Sequence, residues 1–155
     1  MLTVYDVAAA ILARQGTLET LKLQKLVYYA QAWYLAWYDE PLFAGDLQAW
    51  ELGPMSLPLY SRHWRHDTVS EISAGHAEKL DEQQSLALDA VLAHYGHKST
   101  ARLIDMAYSE KPWRLARKLS TATATGYPVI SPESMRDYYR ELQKPNAQPE
   151  IGITP

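Results

Sequence analysis

The sequence predicts a mostly α-helical fold, a compact single-domain bundle built around one central helix at about residues 20–38. Three observations carry that expectation. Apolar residues recur at three- and four-residue intervals through most of the chain, and capping residues with glycine or proline stops punctuate those stretches. The 155 residues, 47% of them hydrophobic, suffice for one buried core. The stretch from Thr20 to Tyr38 is apolar around so much of its circumference that neighbours must cover it on more than one side.

Thr3 caps a first, short amphipathic helix with Val4, Ala8, Ile11 and Leu12 at helical spacing, and Gly16 stops it. In the central helix Leu23, Leu26, Val27, Ala30, Tyr34 and Trp37 define the main apolar face, flanked by Tyr28, Gln31, Leu35 and Tyr38. Asp39-Glu40-Pro41 breaks that helix. Residues 42–55 are too interrupted by glycine and proline for another, so an ordered connector with at most a short strand pair is expected there. Leu57, Tyr60 and Trp64 return to helical spacing, whereas Asp67 to Glu78 reads as a loop. Asp81 caps a helix through Leu86, Ala90, Val91 and Tyr95 that ends at Gly96. Ser99 or Thr100 opens the next, with Leu103, Ile104, Ala107 and Tyr108 along its face and a stop before Pro112. Ser131-Pro132-Glu133 combines a cap, a first-turn proline and an acid at the positive pole of a last helix, lined by Met135, Tyr138, Tyr139 and Leu142. The domain thus covers 1–143. The proline-rich tail, 144–155, has little to bury and is expected to be flexible when unbound.

Several chemistries lack their residues. Without cysteine there is no disulfide, thiolate metal site or cysteine nucleophile. The G-x-S-x-G elbow and the phosphate-cradling glycine loop are absent as well, so no catalytic residue and no cofactor is expected, and the protein does not read as an enzyme. His63 and His66 lie three apart, as do His94 and His97, and Asp67 could join the first pair. The helix is doubtful at the first pair and Gly96 interrupts the second, so no metal site is expected. The amino terminus lacks the basic start of a signal peptide, and no run approaches a membrane span. The expected location is the cytoplasm.

A net charge of −3 disfavours phosphate over the surface as a whole, which makes proteins the expected partners and nucleic acid a poor one. The one basic, aromatic cluster is Arg62-His63-Trp64-Arg65-His66. It reads either as a phosphate-contacting strip or as a helix end where Arg and His complement the negative pole and Trp64 turns inward. The composition is unusual in its aromatics, 11 Tyr and 5 Trp against a single Phe. Such side chains join an apolar body to a polar tip, which suits a core edge or an interface. Two placements follow. Trp50, Gly53 and Pro54 are expected to pin the connector through an aromatic anchor and a turn. Tyr28, Gln31 and Tyr38, on the second stripe of the central helix, are the candidate partner-binding residues, the alternative being that another helix covers them.

The segment Lys22-Leu23-Gln24-Lys25-Leu26-Val27-Tyr28-Tyr29-Ala30-Gln31-Ala32-Trp33 resembles the signature helix of the Panacea domain, the antitoxin domain of SocA-like proteins. Pro41-Leu42-Phe43 followed by Ala49-Trp50-Glu51-Leu52-Gly53-Pro54 is similar to the family's next segment, and Tyr60, Pro112-Trp113 and Ile130-Ser131 to Tyr138-Tyr139 fall in the family's order. Lys22, Gln24, Lys25, Tyr29, Trp33, Trp50, Gly53, Pro54, Pro112 and Trp113 are the positions carrying the signature. Two departures stand out: Ala107-Tyr108 where the family usually has threonine-histidine, and Met55 where valine is commoner. The resemblance implies an antitoxin that neutralises a cognate toxin by direct contact. It also implies an alternative, an adaptor delivering the toxin to a protease such as ClpXP; a DNA-binding autoregulator is a further alternative, which the net charge disfavours. Many relatives sit in phages and mobile elements.

Overall fold

The computed structural model describes residues 1–119, 126–144 and 153–155. Their elements run α1 (Val4–Gln15), β1 (Leu18–Glu19), α2 (Thr20–Tyr38), β2 (Gln48–Trp50), β3 (Gly53–Met55), α3 (Leu57–His63), β4 (Thr68–Val69), a 3-10 turn (Ala77–Lys79), α4 (Glu82–Tyr95), α5 (Thr100–Ser109), α6 (Lys111–Leu119) and α7 (Pro132–Gln143). Short polar side chains set most of the starts. Thr3 Oγ1 accepts from the Asp6 N–H at 3.2 Å while the Asp6 carboxylate accepts from the Thr3 N–H at 2.9 Å, and Asp81 with Gln84 repeats this reciprocal cap at α4. Ser56, Ser99 and Ser131 cap α3, α5 and α7. α2 has no side-chain cap; its Thr20 N–H donates instead to the Asp67 carbonyl at 2.9 Å, beside the antiparallel pair β1–β4.

α2 is the spine. α1, α4, α5, α7 and β3 all pack on it, and Leu23 through Ala36 are buried around its whole circumference. Tyr28, Tyr29 and Trp33 have no exposed surface at all, each removing roughly 150–250 Å² from water. The connector forms the expected strand pair, β2 antiparallel to β3 with Ala49 opposite Pro54. Residues 128–130 run alongside it, the Ala49 N–H donating to the Pro128 carbonyl and the Ile130 N–H to the Leu47 carbonyl, both at 2.8 Å.

Three elements differ from expectation. α6 lies beyond the stop that the sequence suggests before Pro112. Pro112 sits instead in the first turn, where a residue without an N–H loses no helical hydrogen bond. The stretch 67–78 is irregular for the most part but contributes β4 and buries Ile72. Leu86, expected on the inner face of α4, is 54% exposed, and Ala87, Leu88, Val91, Leu92 and Tyr95 are the residues that face the core. Most of the tail, 145–152, lies outside the described residues; Ile153 is buried, and its carbonyl accepts from Gln143 Nε2 at 2.6 Å.

Candidate functional site: a surface bolted to the central helix

Gln24, Lys25 and Gln31 of α2 are buried, and each reaches sideways into the connector or the start of α3. Gln24 bonds both backbone groups of Ser56, accepting from its N–H at 2.8 Å and donating to its carbonyl at 3.1 Å, and its amide nitrogen also meets His63 Nε2 at 3.0 Å. Lys25, wholly buried, donates to the Pro54 carbonyl at 2.9 Å and lies 3.4 Å from Met55 Sδ. Gln31 accepts from the N–H groups of Leu42 and Phe43 at 2.7 and 3.2 Å and donates to the Phe43 carbonyl at 2.9 Å. A segment without regular structure leaves backbone groups that burial would orphan. These three side chains satisfy them, which is how an irregular connector becomes rigid. Gly53 is required in that arrangement, since its φ is +102° and a Cβ there would come within 2.9 Å of Lys25 Cε. Burial lowers the Lys25 pKa to about 7, because the ammonium gives up water for a carbonyl and a thioether.

A second buried cluster ties the far side of α2 to α5, α6 and α7. Glu110, at the junction of α5 and α6, accepts from the Tyr29 hydroxyl at 2.6 Å and from the Tyr139 hydroxyl at 3.1 Å, and Tyr139 is 3.0 Å from the Tyr28 hydroxyl. Burial raises the Glu110 pKa to about 7, against the two hydroxyls, which favour its charged form. Burial likewise pushes Tyr28, Tyr29 and Tyr139 up, reinforced by the charge of Glu110. Trp33 Nε1 donates to the Tyr95 hydroxyl at 2.9 Å, and Tyr95 stacks on Tyr29 with ring centroids 4.0 Å apart.

What these bolts hold in place is α3 and its hairpin. Leu59 and His63 turn α3 toward the core, His63 through the bond to Gln24. Its other face carries Leu57, Tyr60 and Trp64 outward, with Leu57 48% and Trp64 55% exposed. Trp50 packs edge-on against Tyr60 at 4.9 Å and stacks on Tyr127 at 4.7 Å, and Leu52 at the hairpin tip is 50% exposed. Trp113 Nε1 donates to the Trp50 carbonyl at 2.9 Å, which fixes α6 to the same platform. Arg65 lies over the Trp64 ring at 4.7 Å and Arg62 over Tyr5 at 5.1 Å. Residues 56–66 contain no acid. The result is an apolar, aromatic surface with a cationic edge.

Several sequence expectations are corrected here. Tyr28 and Gln31, offered as partner-binding, are buried, one in the Glu110 cluster and the other on the connector; Tyr38 is only half-buried, 4.7 Å from the Tyr34 ring. Trp50 is half-buried rather than the connector's central anchor, a role that falls to Lys25, Gln24 and Gln31. Gly53 and Pro54 are buried as the turn requires. Trp64 points outward, not inward. Lys22 is half-buried, and Pro112 is buried at the start of α6. At the family departure, Ala107 is buried and Tyr108 packs on Trp113 at 4.5 Å. Sequence reasoning missed Glu110. Its one signal was an acid directly before the Lys111-Pro112-Trp113 helix start, which says nothing of burial. No group of three or more His, Asp or Glu that could hold a metal occurs among the described residues, and no helix among them is long and apolar enough to cross a membrane.

The structure is thus a helical domain whose central helix is bolted through buried polar side chains to a segment that carries exposed apolar and aromatic residues. The family described as antitoxin SocA-like, Panacea domain, matches residues 23–114, more than half of the chain, and the protein belongs to that family. The matched segment holds Gln24, Lys25, Gln31, Glu110 and the whole of α3, while α1 and α7 lie outside it. No curated protein and no solved structure matches the chain.

Proposed function

We propose that this antitoxin-like domain neutralises a cognate protein toxin by direct, stoichiometric contact, and that the face presented to the toxin is Leu57 and Tyr60 of α3 with Trp64 at its C-terminal cap, together with the hairpin. One observation carries the reading: the exposed aromatic stripe sits on the element that the buried residues of α2 immobilise. A rigid Tyr and Trp surface gains contact area with little ordering cost, which is how a few residues come to dominate an interface. Arg62 and Arg65 at its edge favour a toxin surface that is apolar at the centre and acidic at the rim. In this reading the protein is a binding protein and not an enzyme, and it works in the cytoplasm beside its toxin. Delivery of the toxin to a protease would use the same face.

Titration of the purified protein against its cognate toxin tests this. Toxicity should vanish at a simple molar ratio near equivalence. Full neutralisation by a small substoichiometric amount would overturn the binding reading in favour of catalysis.

A further inference from the structure

We propose that the cleft between α6 and α7 is a second docking site, one that takes an acidic amphipathic segment of a protein partner. Among the described helices α6 is the most one-sided in its charge: residues 111–119 hold Lys111, Arg114, Arg117 and Lys118 and no acid, in a protein whose net charge is −3. Arg117 is committed inward, donating to the Ala49 carbonyl at 3.0 Å and lying over the Trp113 ring. Lys111, Arg114 and Lys118 are spaced by three and four residues, so they form a single exposed stripe. Leu115 lies within that stripe and is only half-buried.

From Leu115 the surface continues into an apolar depression floored by Ala116 and walled by Leu119, Pro128 and Val129, of which Leu119 is 69% and Val129 46% exposed. A row of cations beside an apolar trough is complementary to a helix with acids on one stripe and leucine-like side chains on the next. The trough argues against a nucleic acid, which would need phosphate contacts along both walls. On the α7 side the cleft is lined by Asp137 and Glu141 instead, which would orient an acidic segment toward α6. This site uses none of the α3 residues and does not depend on the toxin reading.

The test uses the intact protein and a synthetic helical peptide with Glu at three- and four-residue spacing and Leu on the adjoining stripe. Fluorescence anisotropy at low salt should show saturable binding, weakened by added salt. Amide chemical shifts should move at Lys111, Leu115, Leu119 and Val129. A K111E/R114E/K118E variant should lose about tenfold or more in affinity, as three reversed rim contacts imply. The same peptide with Lys for Glu should not bind. All these positions are on the surface, and far-UV circular dichroism checks that the fold persists; if the triple variant melts early, R114E alone carries the comparison. Absence of saturation, insensitivity to charge reversal, shifts confined to α3, or a DNA duplex that competes with the peptide for the same residues would each overturn the proposal.

Discussion

α2 and the segment from α3 to its cap residue Trp64 both carry aromatic side chains, and they use them in opposite ways. In α2 the rings of Tyr28, Tyr29 and Trp33 are fully buried and their polar atoms are bonded inside the domain, to Tyr139, Glu110 and Tyr95. At the two ends of the seven-residue α3, Leu57 and the cap residue Trp64 face outward, on a helix held by Gln24 and Ser56. Aromatic density alone therefore does not locate an interface. The fate of the polar tips does: where every hydroxyl and indole nitrogen has an internal partner, the rings belong to the core, and an aromatic left facing water on a rigid support is available to a partner.

This contrast predicts stability effects in α2 and affinity effects in α3. The largest effect belongs to Trp33→Ala, which opens a cavity at the centre and orphans the Tyr95 hydroxyl. It should cost about 3 to 5 kcal/mol in chemical denaturation. A loss below about 1 kcal/mol would place Trp33 outside the core and break the contrast at its strongest point. Gln24→Leu comes next. It leaves the Ser56 N–H and a ring nitrogen of His63 unpaired at a buried site, while the Ser56 carbonyl keeps the Tyr60 N–H, at a cost of about 3 kcal/mol. It is also the α2 substitution that should weaken toxin binding, because it frees α3 at its cap.

The two displaced titrations give a smaller, pH-resolved effect. The folded-state pKa of Lys25 is lowered from 10.5 to about 7, so between those values the unfolded chain binds more protons and stability rises with pH. Glu110 is raised from 4.5 to about 7, so between those values the folded chain binds more protons and stability falls as pH rises. Their joint contribution is a minimum near neutral pH, with limbs no steeper than about 1.4 kcal/mol per pH unit. Denaturation midpoints should show that Lys25→Met removes the alkaline limb and Glu110→Gln the acid one. If each variant kept the slope of the parent, the burial of these two groups would not be what shifts them.

The bundle itself was largely legible in the sequence. Caps at Thr3, Asp81, Ser99 and Ser131 and the stops at Gly16 and Gly96 are local chemistry, and the structure uses all of them. That α2 packs on more than one side was legible too, from its apolar circumference; that Leu23 through Ala36 leave no stripe outward was not. The candidate site was harder to read. Lys25, Gln24 and Gln31 are polar residue types that a sequence assigns to the surface; their burial is decided by a connector that folds back over them from up to 32 residues away. The i, i+3, i+7 spacing of Leu57, Tyr60 and Trp64 identified a helix, but periodicity cannot say which of two stripes faces inward, and here Leu59 and His63 do. Tyr28 and Gln31 were misplaced for the same reason, since a helix buried all round has no outward stripe.

The central claim, that α3 and not α2 meets the toxin, is tested most directly by isothermal titration calorimetry of a Leu57→Ala/Trp64→Ala variant against the cognate toxin, with a melting curve on the same sample. The predicted result is an affinity loss of at least about 2 kcal/mol, roughly thirtyfold. The melting temperature should stay within a few degrees of the parent, since both side chains are already about half exposed. An affinity within twofold of the parent, with the fold intact, would contradict the account and move the toxin to another face.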